Sequence, residues 1–209
     1  MIERVLEYLD ELYYEPRCEL NYNKDYEFLI AIVLSAQTTD KRVNKVTEVL
    51  FNKYSSLEQL SKEDISDIED IIREIGTFRR KSIYVRDIAL KLVNDGYDYI
   101  PNNRMYIESL PGVGRKTANV FLSNIYDEPA IAVDTHVSRV SKRLGIANNN
   151  DDVSVIEKKL EKIIPKNKWA KSHHQLVLFG RYHCKAMKPE CDSCKIKDIC
   201  KYKKKIDEL

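Results

Sequence analysis

The sequence predicts an all-α protein built in two lobes, and three observations carry that expectation. Only 6 glycines and 6 prolines interrupt 209 residues, so few positions force the backbone out of a helix. Between those breaks, apolar residues recur every three or four positions, the period of an amphipathic helix. The one run that could form a buried strand, Tyr26 to Leu34, has no partner strand in view, so it reads as a core helix.

In chain order, Met1 to Pro16 is acidic, with Ile2, Val5, Leu6, Leu9 and Leu12 at helical spacing. The core helix follows. Helical periodicity then covers Val43 to Phe51, Ile65 to Ile75, Lys81 to Val93, Met105 to Leu110, Lys116 to Tyr126, Val137 to Leu144, Ser154 to Ile164 and Trp169 to Tyr182. Breaks fall at Gly76, Gly96 to Pro101, Pro111 to Gly114, Asp127 to Pro129, Asn148 to Asp152 and Pro165 to Asn167. No internal repeat or low-complexity segment is present.

Composition narrows the function class. Hydrophobic residues make up 43%, ordinary for a soluble globular protein. No apolar run approaches the roughly 20 residues of a membrane helix. The acidic first helix has neither the basic start nor the cleavage site of a secretory signal, so a cytoplasmic protein without a membrane partner is expected. The net charge of +2 hides an asymmetry. Residues 1–100 carry 14 Lys and Arg against 20 Asp and Glu, and residues 101–209 carry 21 against 13. The second half is the better nucleic-acid face, although two solvated surfaces of opposite sign would look the same.

Four of the five cysteines cluster as Cys184, Cys191, Cys194 and Cys200, a C-x6-C-x2-C-x5-C pattern. Four thiolates in one short stretch can enclose an iron–sulfur cluster or a single zinc. The single C-x2-C, with longer gaps outside it, tilts slightly towards iron–sulfur, because structural zinc sites favour two short paired spacings. Cys18 stands apart and reads as a packing residue. Lysines from Lys195 to Lys205 surround the last cysteine; they could offset thiolate charge or contact phosphates.

Upstream, Pro111-Gly112-Val113-Gly114 reads as a glycine hairpin between two short helices. Glycine permits positive φ and close approach of another backbone. The helix beginning at Arg115 would offer free N–H groups and a positive dipole end to a DNA phosphate; an ordinary helix–turn–helix corner needs glycine too. Lys116 falls in that helix's first turn, where the dipole and Arg115 both favour the neutral, nucleophilic amine. Asp134 precedes a helical stretch. It reads as an N-cap, and also as a rigidly held carboxylate that faces Lys116 and accepts its proton. Gln37, in the polar cluster after the core helix, could fill the gap left by an extruded base, or simply lie in a capping loop. His173 and His174 read as surface or satisfied core groups, and His136 reads as a neighbour that shapes the Asp134 region, with no role in the chemistry.

Taken together, Leu110-Pro-Gly-Val-Gly-Arg-Lys116-Thr-Ala-Asn119, Val133-Asp-Thr-His-Val-Ser-Arg139-Val140 and the cysteine loop resemble the endonuclease III family, the iron–sulfur branch of the helix-hairpin-helix DNA glycosylases. Leu34-Ser-Ala-Gln-Thr-Thr-Asp40 and Ile71-Ile-Arg-Glu-Ile-Gly76 match as well, and the similarity runs in order from about Leu20 to Cys200. The resemblance implies a helical barrel over residues 18–128 with a helix-hairpin-helix at 105–125. It implies a cluster lobe from 1–17 plus 129–209 that holds a [4Fe-4S] cluster on the loop 184–200. It makes Lys116 the nucleophile and Asp134 the essential carboxylate. Gln37 becomes one DNA wedge, Thr77 lies at the second, and Gly112, Gly114 and Arg115 become DNA contacts. At Thr77 this chain departs from the bulky apolar residue of the best-known bacterial members, and Phe78 is the alternative wedge. The implied activity is base-excision repair by a monomer acting on double-stranded DNA: removal of oxidised pyrimidines, then β-elimination 3′ to the abasic site through a lysine Schiff base.

Overall fold

The protein is described by a computed structural model covering residues 1–207; the side chains of Lys205 and Asp207 lie outside that description. The described residues are helical, with no strand. They divide into two compact units: unit 1 comprises Met1–Cys18 and Asp127–Leu209, and unit 2 comprises Glu19–Tyr126.

The helix of unit 1 that opens the chain is α1, Ile2–Leu12. Unit 2 then holds α2 (Asp25–Ser35), α3 (Asp40–Lys53), α4 (Leu57–Lys62), α5 (Ile65–Ile72), α6 (Phe78–Asn94), α7 (Arg104–Glu108) and α8 (Arg115–Ile125). Every residue of α2 from Tyr26 to Leu34 is buried. A helix that is apolar all round belongs at the centre of a bundle, and α2 packs against α3, α6 and α8. The Phe28 ring stacks on Phe121 of α8, centroids 6.1 Å apart. Truncating Leu29 or Leu34 to Ala, both fully enclosed, would cost about 2–5 kcal/mol.

Helix α4 falls outside the expected elements. It has six residues and one apolar turn, too short for periodicity to register. Its start is nevertheless written in the sequence: Ser56 accepts a hydrogen bond from the Gln59 amide at 3.3 Å, an N-cap.

Unit 1 continues with α9 (Thr135–Leu144), α10 (Val153–Ile163), α11 (Trp169–Leu178) and, after the cysteine loop, α12 (Lys201–Asp207). Val137, Val140 and Leu144 of α9 meet Ile156 and Leu160 of α10, Leu176 of α11 and Val5 and Leu9 of α1 in one apolar core. The expected continuous helix Trp169 to Tyr182 is not uniform. From Phe179 to His183 the backbone widens into a π-turn. Gly180 allows this, since a Cβ there would stand 2.8 Å from the His136 Cβ. The turn ends where the Cys184 amide donates to the Phe179 carbonyl at 2.7 Å.

Candidate nucleic-acid interface and metal centre

The hairpin in unit 2 joins α7 to α8. Ile107, Leu110 and Val113 are buried and anchor it. The Arg104 guanidinium donates to Asn119 Oδ1 at 2.8 Å and ties the two helices together. Gly112 has φ +74, and a Cβ would lie 2.5 Å from the Tyr84 ring. Here only glycine fits. Gly114 differs: its φ is −104 and the space in front of it is open. The N-cap Gly114 lacks a side chain to cap α8, so the first-turn N–H groups point outward at the positive end of the dipole. Gly112, Gly114, Arg115 and Lys116 are all exposed at this end. That is the arrangement an anionic backbone can approach.

Two further loops of unit 2 meet. Gln37 follows α2 with φ 59, and Thr77 caps α6 with φ 57. Left-handed backbone is uncommon for non-glycine residues, and for a β-branched threonine it is an outlier. Both side chains are exposed, while Phe78 is half-buried. A Cβ on Gly76 would lie 3.6 Å from the Gln37 carbonyl oxygen, so the loops are in contact.

In unit 1, Asp134 is half-buried. Its Oδ1 accepts from the Val137 amide at 2.8 Å, which makes it the N-cap of α9. One turn on, Arg139 donates to the carbonyls of Cys184 (3.2 Å) and Gly180 (2.6 Å). His173 is buried and its ring lies 5.0 Å from that of His174; burial pushes His174 below the ordinary imidazole value.

The four cysteines Cys184, Cys191, Cys194 and Cys200 line one pocket, partly open to solvent. None of the four is in a disulfide; Cys18 lies outside the pocket. Among the described residues no three His, Cys, Asp or Glu groups are disposed to hold a single metal ion. Burial, and then the neighbouring thiolates, push the Cys191 thiol up, and Cys194 is raised first by burial too. A polynuclear cationic core would reverse that penalty. An all-cysteine donor set lining one pocket fits an iron–sulfur cluster.

Sequence reasoning missed Arg143. Its guanidinium donates to the carbonyls of Cys184 (3.2 Å), Lys185 (2.6 Å) and Ala186 (3.0 Å), and to Cys184 Sγ (3.4 Å). It also lies over the Tyr202 ring, 4.3 Å from the centroid. On a basic helix end it looks like a dipole partner, and no local pattern separates it from one.

Comparison with known proteins agrees with these features. The profile of the HhH-GPD superfamily base excision DNA repair proteins matches residues 30–166. Endonuclease III of Bacillus subtilis (strain 168) is 41% identical over 207 residues, 99% of this chain and 94% of its own. A structure of a trapped endonuclease III–DNA covalent intermediate is 44% identical, with TM-score 0.94, over 99% of this chain and 97% of the other. A thermostable thymine-DNA glycosylase is 25% identical, with TM-score 0.84, over 97% and 96%. Among the described residues no helix is long and apolar enough to cross a membrane. The chain belongs to the endonuclease III family, DNA glycosylases with AP lyase activity, within the HhH-GPD superfamily of base excision repair proteins.

Proposed function

We propose that this chain removes oxidised pyrimidines from duplex DNA and then cleaves the strand 3′ to the abasic site, with Lys116 as nucleophile. One observation carries the reading: Lys116 is exposed in the uncapped first turn of a hairpin helix. The similar endonuclease III trapped on DNA as a covalent intermediate supports it.

The damaged nucleotide leaves the stack, because its C1′ is out of reach inside the duplex. The neutral Nζ of Lys116 attacks C1′; the C1′–N bond breaks and the base leaves with the electron pair and takes up a proton. The sugar ring opens to a protonated Schiff base. The iminium acidifies C2′, a proton leaves, and the C3′–O bond breaks with the phosphate as leaving group. Water then hydrolyses the imine. Asp134 takes the Lys116 proton and stabilises the cationic intermediates. The N–H groups at Gly112 and Gly114, with Arg115, hold a phosphate. Gln37 fills the vacated stack from one side, and Thr77 or Phe78 does so from the other.

Cys184, Cys191, Cys194 and Cys200 hold a [4Fe-4S] cluster. When bound, it supplies iron–thiolate bonds that staple a loop too small for a core of its own. The working form is a monomer on duplex DNA.

The test is borohydride trapping on a duplex with one abasic site. A covalent adduct mapping to Lys116, and absent in Lys116→Gln, is expected. No adduct with DNA binding intact would make the protein a binding module and Lys116 a phosphate contact.

A further inference from the structure

Lys81 is nearly enclosed, 4% exposed, and it is one of the buried charged groups that the mechanism leaves unused. Its ammonium donates to the carbonyls of Leu34 at 2.9 Å and Ala36 at 2.6 Å. These carbonyls end α2, where the helix dipole is negative and favours a cation. Its own backbone amide donates to the Thr77 carbonyl at 3.1 Å. That bond is the ordinary first-turn bond of α6, whose N-cap is Thr77, so the side chain of Lys81 ties the start of α6 to the peptide just before Gln37.

Burial is unfavourable for this ammonium and lowers its proton affinity. A methionine would fill the same space without that cost, but it would leave the Leu34 and Ala36 carbonyls without this donor. The charge has to be explained by what it holds. It holds the Leu34 and Ala36 carbonyls, and on either side of that link stand two exposed residues in left-handed backbone, Gln37 and Thr77. Such conformations persist only where their surroundings over-determine them.

We propose that Lys81 is a positioning residue that locks the Gln37 loop to the Thr77 loop, so that the two enter a duplex as one rigid wedge. This rests on the proposed function, in which these loops fill the stack around an extruded nucleotide. A single strand has no opposing stack to fill, so wedge geometry matters only for duplex substrate.

The experiment compares strand cleavage at an abasic site in duplex and in single-stranded DNA, within one preparation of each variant. The ratio cancels the fraction of folded protein. Lys81→Met is expected to lower the duplex-to-single-strand rate ratio about tenfold or more, since a displacement of about 1 Å costs on that order. Lys81→Arg, which keeps the cation and its donors, restores most of the ratio. The fluorescence rise of 2-aminopurine opposite the lesion, which reports unstacking, falls in Lys81→Met and returns in Lys81→Arg. Should Lys81→Met yield no soluble protein, Lys81→Gln gives the same ratio with one donor kept. An unchanged ratio, or equal losses on both substrates, overturns the positioning role while leaving the proposed function standing. Wild-type protein that cleaves neither substrate overturns both.

Discussion

The α-carbon of Gly112 rests against the ring of Tyr84, with 2.5 Å between the ring and the place where a Cβ would stand. Tyr84 lies on α6, whose first residues carry the Thr77 loop. The hairpin turn is thus seated on the helix that begins at that loop.

Gly112→Ala combines a left-handed backbone with a clash, and we expect a loss of about 2–4 kcal/mol in thermal or denaturant unfolding. Gly114→Ala has a negative φ and open space. Its stability should change by less than about 0.5 kcal/mol, while DNA affinity drops because a methyl now stands where a phosphate approaches. Equal effects of the two substitutions on DNA affinity and stability would contradict the assignment of that end of α8 to DNA.

Asp134 serves as a cap and, in the proposed mechanism, as a charge. Asn keeps the cap and removes the charge; Ala removes both. Asp134→Ala should cost about 1 kcal/mol of stability and Asp134→Asn little, because Asn is as good an N-cap. Activity should fall about 100-fold or more in both. If Asp134→Asn retained full strand cleavage, the carboxylate would have no role beyond its cap.

The purified protein should contain iron and acid-labile sulfide, about four of each per chain. Zinc at about one per chain would overturn the cluster. Arg143→Met removes the donors to the Cys184–Ala186 carbonyls and leaves the bulk. It should speed loss of the cluster's visible absorbance in air or chelator, and lower stability by about 1–3 kcal/mol.

Asp10 on α1 accepts from Lys171 at 2.6 Å and from Gln175 at 2.8 Å, both on α11. The Lys171 hydrogen bond outweighs burial, which acts the other way, and with Gln175 it holds the Asp10 carboxyl below the usual range. A depressed folded value means the contribution is present above the unfolded value and is lost as pH falls through the folded one. The pair is half-exposed, so Asp10→Asn should cost only about 0.2–1 kcal/mol near neutrality. Unfolding curves of wild type and variant should converge under acid conditions. A gap that persists there would place the effect in packing rather than charge.

How much of this was legible before the structure depends on how far apart the partners lie in the chain. The core helix α2 was readable because eight of the nine residues from Tyr26 to Leu34 are apolar, with Glu27 the exception. The cysteine loop was readable because its members lie within 17 residues, Cys184 to Cys200. Lys81 was not. Its partner Ala36 is 45 residues away, and in the sequence it is one more lysine on an amphipathic helix. Thr77 was legible as a departure from a family pattern but not as left-handed backbone, because threonine is among the residues least suited to it. The π-turn escaped for the opposite reason. Its sequence Phe-Gly-Arg-Tyr-His keeps helical spacing, and the close approach of Gly180 to His136 is made by residues 44 positions apart.

Unit 1 is assembled from two stretches of chain, 1–18 and 127–209. Arg4 pairs with Asp198, 194 positions later, and Glu11 with Lys195. During synthesis α1 therefore leaves the ribosome with its apolar stripe bare, and the contiguous unit 2 is complete long before that stripe finds α11. Contacts of such long range form slowly and expose the nascent chain meanwhile. Insertion of the proposed cluster would belong at the close of this sequence, because the last thiol, Cys200, emerges after nearly everything else. If the proposed cluster is bound there, a cell short of iron would accumulate chains with unit 2 finished and unit 1 unfinished.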